Sequence, residues 1–214
     1  MLNLAAQNMI ERYFLRPGQV ITEVSRLGEA VVVSAGRLGW LVESVGDINS
    51  ARPCGYELYE VRINLAADPP PPAHGVAVLP DGEMFHLNDE SELRAFFRKV
   101  YRTILPLELA GLLTRYQAGD NPQKEILQRD TLSWWLADDQ IEAIDEFTLP
   151  LTIRKDNGGL TLDFCALTID QELPNGMPII GLNRWCVEVY GEGRLEWSFR
   201  PIAGKLDTRI YSAK

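Results

Sequence analysis

The sequence has little cysteine and no long apolar run. Its three cysteines, Cys54, Cys165 and Cys186, are odd in number and far apart, which argues against a disulfide framework or a zinc ribbon. No stretch approaches the length of a transmembrane helix, and the N-terminus lacks a basic region followed by an apolar run. These absences predict a cytoplasmic protein in a reducing compartment, with no membrane partner.

Histidine is equally scarce, with only His74 and His86 in the chain. Two histidines on neighbouring strands bind zinc when a carboxylate completes the site. A two-residue turn at Asp81-Gly82, however, pairs His86 with Ala77, so the two rings do not lie opposite each other. The sequence therefore predicts ordinary surface or turn histidines and no metal site here.

The motifs of the common enzyme classes are missing. The nearest match to a glycine-rich phosphate loop, Gly191-Glu192-Gly193, lacks the third glycine and lies in a predicted hairpin turn. No serine stands between glycines as a nucleophile elbow requires, and neither Cys165 nor Cys186 has a histidine nearby in sequence. These absences favour a protein that is not an enzyme, and no cofactor is predicted.

Basic residues are outnumbered by acidic ones, 21 to 30, which gives a net charge of -9. Such a balance repels a phosphate backbone and an anionic membrane surface. It predicts that nucleic acid is not a partner and favours a basic protein partner. The charge balance says nothing about the oligomeric state.

The helix and strand signals are typical of an α+β protein. Apolar residues at helical spacing cover Leu2–Phe14, and short β-rich segments with glycine turns follow over Gln19–Leu65. Four prolines, Pro69–Pro72, enforce an extended segment. We therefore predict an N-terminal helix with a small β unit (residues 1–67), a proline-rich connector (68–74) and an α+β domain with an antiparallel C-terminal meander (75–214).

The middle of the chain carries helix-start signals. Asp89 is a predicted N-cap, and Glu92, three residues on, approximates a capping box. Pro106 opens a second helix, and Asn121-Pro122 predicts a third, short helix that runs to about Arg129. We expect these central helices to pack on a mainly antiparallel sheet.

That sheet is predicted to contain two C-terminal hairpins. Asn157-Gly158 suits a two-residue type I′ turn because both residues tolerate positive φ, and Gly191-Glu192-Gly193 suits a three-residue loop. The first turn predicts the pairs Asp156–Gly159, Ile153–Leu162 and Leu149–Ala166. The second predicts the pairs Tyr190–Arg194, Val187–Trp197 and Trp185–Phe199.

The second register also places like charges opposite each other, Glu188 against Glu196 and Arg184 against Arg200. Each such pair costs only about 0.2–1 kcal/mol, so solvent and neighbouring strands are expected to absorb it. The alternative is that these four residues bind a ligand. They would then line a small-ligand or enzyme pocket between the helices and the sheet.

An acidic cluster follows the adjacent indoles Trp134 and Trp135, which cannot share one face of a helix or strand. Our main hypothesis is a non-catalytic, acidic protein-interaction or regulatory module. Its predicted partner-binding residues are Trp134, Asp138, Asp139, Glu142 and Asp145. A further alternative is a metal-dependent hydrolase built on the same cluster, since hard cations take carboxylate oxygens.

Overall fold

The computed structural model describes residues 2–45, 55–63, 72–119, 125–126, 142, 151–156, 158–172 and 178–207. It contains two antiparallel sheets and three α-helices within those ranges, and the predicted α+β class is confirmed. The chain divides into two compact units, residues 1–96 and 97–214. No helix in the described ranges is long and apolar enough to cross a membrane.

The first unit begins with helix α1 (Leu2–Tyr13), which is followed by a six-stranded antiparallel sheet. The strands lie in the sheet in the order in which they occur in the chain, so each pairs with its sequence neighbour. They are β1 (Glu23–Leu27), β2 (Ala30–Ala35), β3 (Leu38–Ser44), β4 (Glu57–Ile63), β5 (His74–Val78) and β6 (Met84–His86).

Both faces of this sheet are covered. Helix α1 buries Ala6, Met9 and Ile10 in one core cluster with strand residues such as Val33 and Val61. On the opposite face the Tyr56 and Phe96 rings pack edge to face with centroids 4.9 Å apart, and both side chains are almost fully buried. Successive side chains along the strands point to opposite faces of the sheet and therefore pack in two separate cores.

The proline run interrupts the chain within this first sheet. The strands on either side of it, β4 and β5, pair with each other, and Tyr59 lies opposite Val76. The two compact units divide between Phe96 and Phe97. The predicted division into residues 1–67, 68–74 and 75–214 stays a prediction. Residues 64–71 lie outside the described residues, so the role of the prolines as a connector stays a prediction.

The turn between β5 and β6 corrects the register predicted for the histidines. His86 pairs with Val76, and the predicted pairing with Ala77 is wrong by one residue. The loop has three residues rather than two, because the amide of Leu79 donates to the carbonyl of Glu83 and Gly82 takes positive φ. A one-residue shift moves His86 to the other face of the sheet.

Helix α2 (Glu90–Val100) begins where the sequence predicts. The Oδ1 atom of Asp89 accepts a hydrogen bond from the backbone amide of Glu92, with an N-to-O distance of 3.0 Å, as an N-cap residue does. The Glu92 carboxylate does not close a capping box on Asp89. It accepts the backbone amide of His86 instead, at 2.7 Å, and so ties the start of the helix to the end of β6.

The second unit contains helix α3 (Pro106–Tyr116) and a five-stranded sheet. Its strands are β7 (Glu125–Ile126), β8 (Thr152–Asp156), β9 (Gly159–Glu172), β10 (Pro178–Val189) and β11 (Leu195–Asp207). β10 lies between β9 and β11, while β8 and β7 share the other edge of β9. The strand at Glu125–Ile126 shows that the helix predicted to run to Arg129 is wrong there.

The predicted C-terminal registers are confirmed over most of their length. Every pair predicted for the second hairpin is present, as are Asp156 with Gly159 and Ile153 with Leu162 in the first. Ala166, however, pairs with Ile126 of β7, so the predicted pair with Leu149 is wrong. Strand β8 begins at Thr152, after Pro150, a residue with no amide to donate to a ladder.

The loop that joins β10 to β11 packs tightly against the end of α2. Glu192 and Gly193 both have positive φ, 64° and 74°. A Cβ at Gly193 would lie 2.8 Å from Cδ1 of Tyr101 and 3.0 Å from Cα of Arg98. The position therefore requires glycine both for its backbone conformation and for the space available.

We expect Gly193→Ala to lower the free energy of unfolding by about 2 kcal/mol or more, since strain and a backbone clash add. Gly111→Ala is the matched control, because a Cβ there meets nothing within 4 Å and alanine is favoured in the helix by roughly 0.5–1 kcal/mol. Urea denaturation of both variants measures the difference. Equal stability of the two would contradict the close packing of the loop.

We expect Asp89→Ala to destabilise the protein by about 1 kcal/mol, because it removes the oxygen that caps α2. Asp89→Asn keeps an acceptor oxygen at the same position and should lower the stability by only about a few tenths of a kcal/mol. The comparison uses denaturation midpoints of the three proteins. A loss of similar size in both variants would mean that charge, rather than the cap, stabilises the helix start.

Candidate functional site

Strand alternation places the four predicted ligand-binding residues on one face of the second sheet. Arg184 lies opposite Arg200 and Glu188 opposite Glu196. Cys186 lies opposite Asp163, which puts Asp163 on the same face. We call this surface the charged face, defined by Arg154, Asp163, Arg184, Glu188, Glu196 and Arg200.

Asp163 is the buried centre of the charged face. Its side chain is only 10% exposed, and it accepts hydrogen bonds from Arg154 at 2.5 Å and from Arg184 at 3.4 Å. Both arginine side chains are partly exposed, 62% for Arg154 and 38% for Arg184. A buried carboxylate between two arginines fixes their positions and relieves the repulsion between Arg184 and Arg200.

The acidic pair is relieved in a similar way. The hydroxyl of Tyr190 donates to the Glu188 carboxylate, and this bond raises the pKa of Tyr190. Arg194 lies over the Tyr190 ring, 4.0 Å from its centroid, and its Nε is 3.8 Å from the Glu196 carboxylate. Neighbouring side chains therefore engage Arg184, Glu188 and Glu196, while Arg200 is exposed to solvent.

A cavity of about 580 Å³ opens beside this surface, at the β10–β11 loop. We call it the hairpin cavity; the side chains and backbone that line it are Arg98, Tyr190, Gly191, Glu192 and Arg194. Arg98 comes from α2 and is exposed, and it forms no ion pair with any described residue. Two arginines and one glutamate give the lining a net positive charge, although the whole chain is acidic.

Comparisons with known proteins leave the function to be argued from these side chains. No family model, curated protein or solved structure matches the chain.

Most of the predicted partner-binding cluster lies outside the described residues. Glu142 is described, and its side chain is exposed. Trp134, Asp138, Asp139 and Asp145 lie outside the described residues. The acidic cluster therefore stays a prediction, both as a partner surface and as a metal site.

The structure brings together two residues that the sequence set apart. Nδ1 of His74 lies 3.1 Å from Nε2 of His86, within hydrogen-bond distance. Both rings are half-buried, and the Phe14 ring packs edge-on against both, with centroids 5.4 and 5.7 Å away. The expectation of ordinary surface or turn histidines is wrong, because the shifted register puts both on the face that α1 covers.

Burial of this histidine pair favours the neutral form of both imidazoles. Burial lowers the pKa of His74 and His86, and the neighbouring His74 lowers that of His86 further. Glu92 and Asp89 oppose this by favouring the charged form of His86. The Tyr13 hydroxyl donates to the carbonyl of Met84 at 2.7 Å, and its pKa is raised by burial and by Glu92.

The free thiol of Cys186 reports on the charged face. Burial raises its pKa, the carboxylates of Asp163 and Glu188 raise it further, and Arg154 and Arg184 oppose them. The other described cysteine, Cys165, is fully buried. The thiolate is the nucleophile, so the rate at which Cys186 reacts with iodoacetamide depends on its pKa and therefore on the charges around Asp163.

We expect Asp163→Asn to lower the Cys186 pKa and speed alkylation at pH 7.5. Arg184→Gln should raise the pKa and slow the reaction, since the two substitutions remove opposite charges. Both are made in a Cys54→Ser background and read by mass spectrometry, with Cys186→Ser to identify the modified thiol. Changes of the same sign in both variants would contradict this charge arrangement, and circular dichroism checks that each variant is folded.

Proposed function

We propose that this protein is a non-catalytic interaction module that docks a partner protein on the charged face and hairpin cavity of its second unit. The observation that carries the proposal is that Arg98 and Arg194 both line the hairpin cavity, next to charges held in place by Asp163 and Tyr190. Fixed charges of both signs favour orientation and selection of a partner more than raw affinity.

The chemistry of the cavity favours a protein over a small molecule. Small-ligand sites are enclosed and lined mainly by apolar and aromatic side chains. The hairpin cavity has three charged side chains, one tyrosine and one glycine in its described lining. The two arginines of the lining present planar donors suited to carboxylate recognition, so an acidic side chain of the partner is the ligand that we propose for them.

A second candidate surface is the acidic cluster near Trp134, which would take a basic partner. It is supported by five acids within residues 138–146 and by the exposure of Glu142. An enzyme or small-ligand binder that uses Arg184, Glu188, Glu196 and Arg200 is the remaining alternative. Asp163, Tyr190 and Arg194 already engage three of these four, which favours the docking surface over a catalytic arrangement.

We expect Arg98→Glu with Arg194→Glu to abolish capture of the partner from a native lysate, because the charge of the cavity is reversed. Arg16→Glu with Arg37→Glu is the control, since it makes the same net charge change at exposed residues of the first unit. Capture is quantified by mass spectrometry at low and high salt, and the salt should weaken it.

The acidic surface is tested in the same assay with Asp138→Lys and Glu142→Lys. Loss of the partner with these substitutions but not with the arginine reversals would move the docking site to the acidic cluster. Equal capture by all variants at all salt concentrations would contradict an electrostatic interaction module altogether.

A further inference from the structure

The histidine pair has no role in the function proposed for the second unit. It lies in the first unit, where the two histidines belong to adjacent strands and pack against the aromatic rings at the end of α1. We propose that His74 and His86 are two ligands of a divalent transition-metal ion. The site would take a borderline ion such as Zn²⁺ through Nδ1 of His74 and Nε2 of His86.

The separation of the two nitrogens fits one metal ion. They are 3.1 Å apart. A zinc ion about 2.05 Å from each of two imidazole nitrogens holds them roughly 3.1–3.4 Å apart at angles near those of a tetrahedron. Because the two nitrogens face each other across a hydrogen bond, a bound ion would lie to one side of the line that joins them, and both rings would turn toward it.

The protonation state also suits a metal. Neutral imidazole is the form that binds metal ions, and the hydrogen bond between the two rings requires that the acceptor nitrogen carries no proton. Without metal, one proton lies between the two nitrogens, on whichever ring is the donor. When the metal replaces it, that proton moves to the other nitrogen of the same ring, so each imidazole remains neutral.

The strands and the adjoining helices hold the two rings in position. His74 and His86 are diagonal neighbours on one face, since His86 lies opposite Val76, two residues from His74. Phe14 packs against both rings, and the Glu92 carboxylate holds the backbone amide of His86. Ligands on rigid strands, supported by a packed aromatic side chain, lose little freedom on binding.

The coordination is completed by water in this proposal. Within the described residues, no group of three or more His, Cys, Asp or Glu side chains is arranged to hold a metal. Structural zinc sites have four protein ligands and catalytic ones three, so a two-histidine site binds more weakly than either. Nitrogen ligands select zinc, copper or nickel over magnesium and calcium.

The test is a titration of the tag-free full chain with Zn²⁺. Because the chain has two histidines, its imidazole NMR signals come from His74 and His86 alone. We expect both sets of signals to shift and to saturate within a tenfold excess of Zn²⁺ with one ion bound per chain, and the unfolding temperature to rise. Mg²⁺ at the same concentrations should change neither.

The variants His74→Gln and His86→Gln should each weaken Zn²⁺ binding at least tenfold, because each removes a ligand. Cys186→Ser is the control for binding by a thiol and should bind as the wild type does. If one histidine variant does not fold, the other variant and the wild-type NMR titration still decide.

Two outcomes would overturn the proposal. One is no saturable change in the imidazole signals at tenfold excess of Zn²⁺, which would leave a histidine hydrogen bond only. The other is Zn²⁺ stabilisation that persists undiminished in both histidine variants, which would place the metal elsewhere, for example on the acidic cluster. Neither result bears on docking by the second unit.

Discussion

The register of strand pairing is the constraint on which both candidate sites depend. Side chains alternate between the faces of a sheet, so a shift of one residue exchanges the two faces. His74 and His86 meet because His86 lies opposite Val76. Asp163 forms a hydrogen bond with Arg184 because Cys186 lies opposite Asp163, which places the Asp163 side chain on the charged face.

The sequence predicts these registers well where the turn chemistry has one interpretation. Asn157-Gly158 fits a two-residue turn, and the pairs on either side of it follow. Pro80-Asp81-Gly82 is ambiguous, because Asp-Gly is a good two-residue turn while Gly82 alone also closes a three-residue loop. The protein uses the three-residue loop, which is closed by a hydrogen bond from the amide of Leu79 to the carbonyl of Glu83. The amide of Tyr190 closes the C-terminal hairpin in the same way, by a hydrogen bond to the carbonyl of Arg194.

Contacts between residues far apart in the chain could not be predicted from local pattern. Phe14 packs on two histidines at least 60 residues away, and Tyr13 donates to Met84. The pairing of Ile126 with Ala166 likewise depends on which segment reaches the edge of β9. Such contacts depend on how several elements pack at once, whereas capping and turn signals act within a few residues.

The sign of a surface is likewise a local property that net charge does not give. The chain carries a net charge of -9, yet the carboxylates of the charged face are engaged: Asp163 by two arginines, Glu188 by Tyr190 and Glu196 by Arg194. Among the residues described, Arg98 and Arg200 form no ion pair and are exposed. Exposed cations without an ion pair attract anions, so the carboxylate-bearing partner that we propose for the second unit is compatible with a chain that is acidic as a whole.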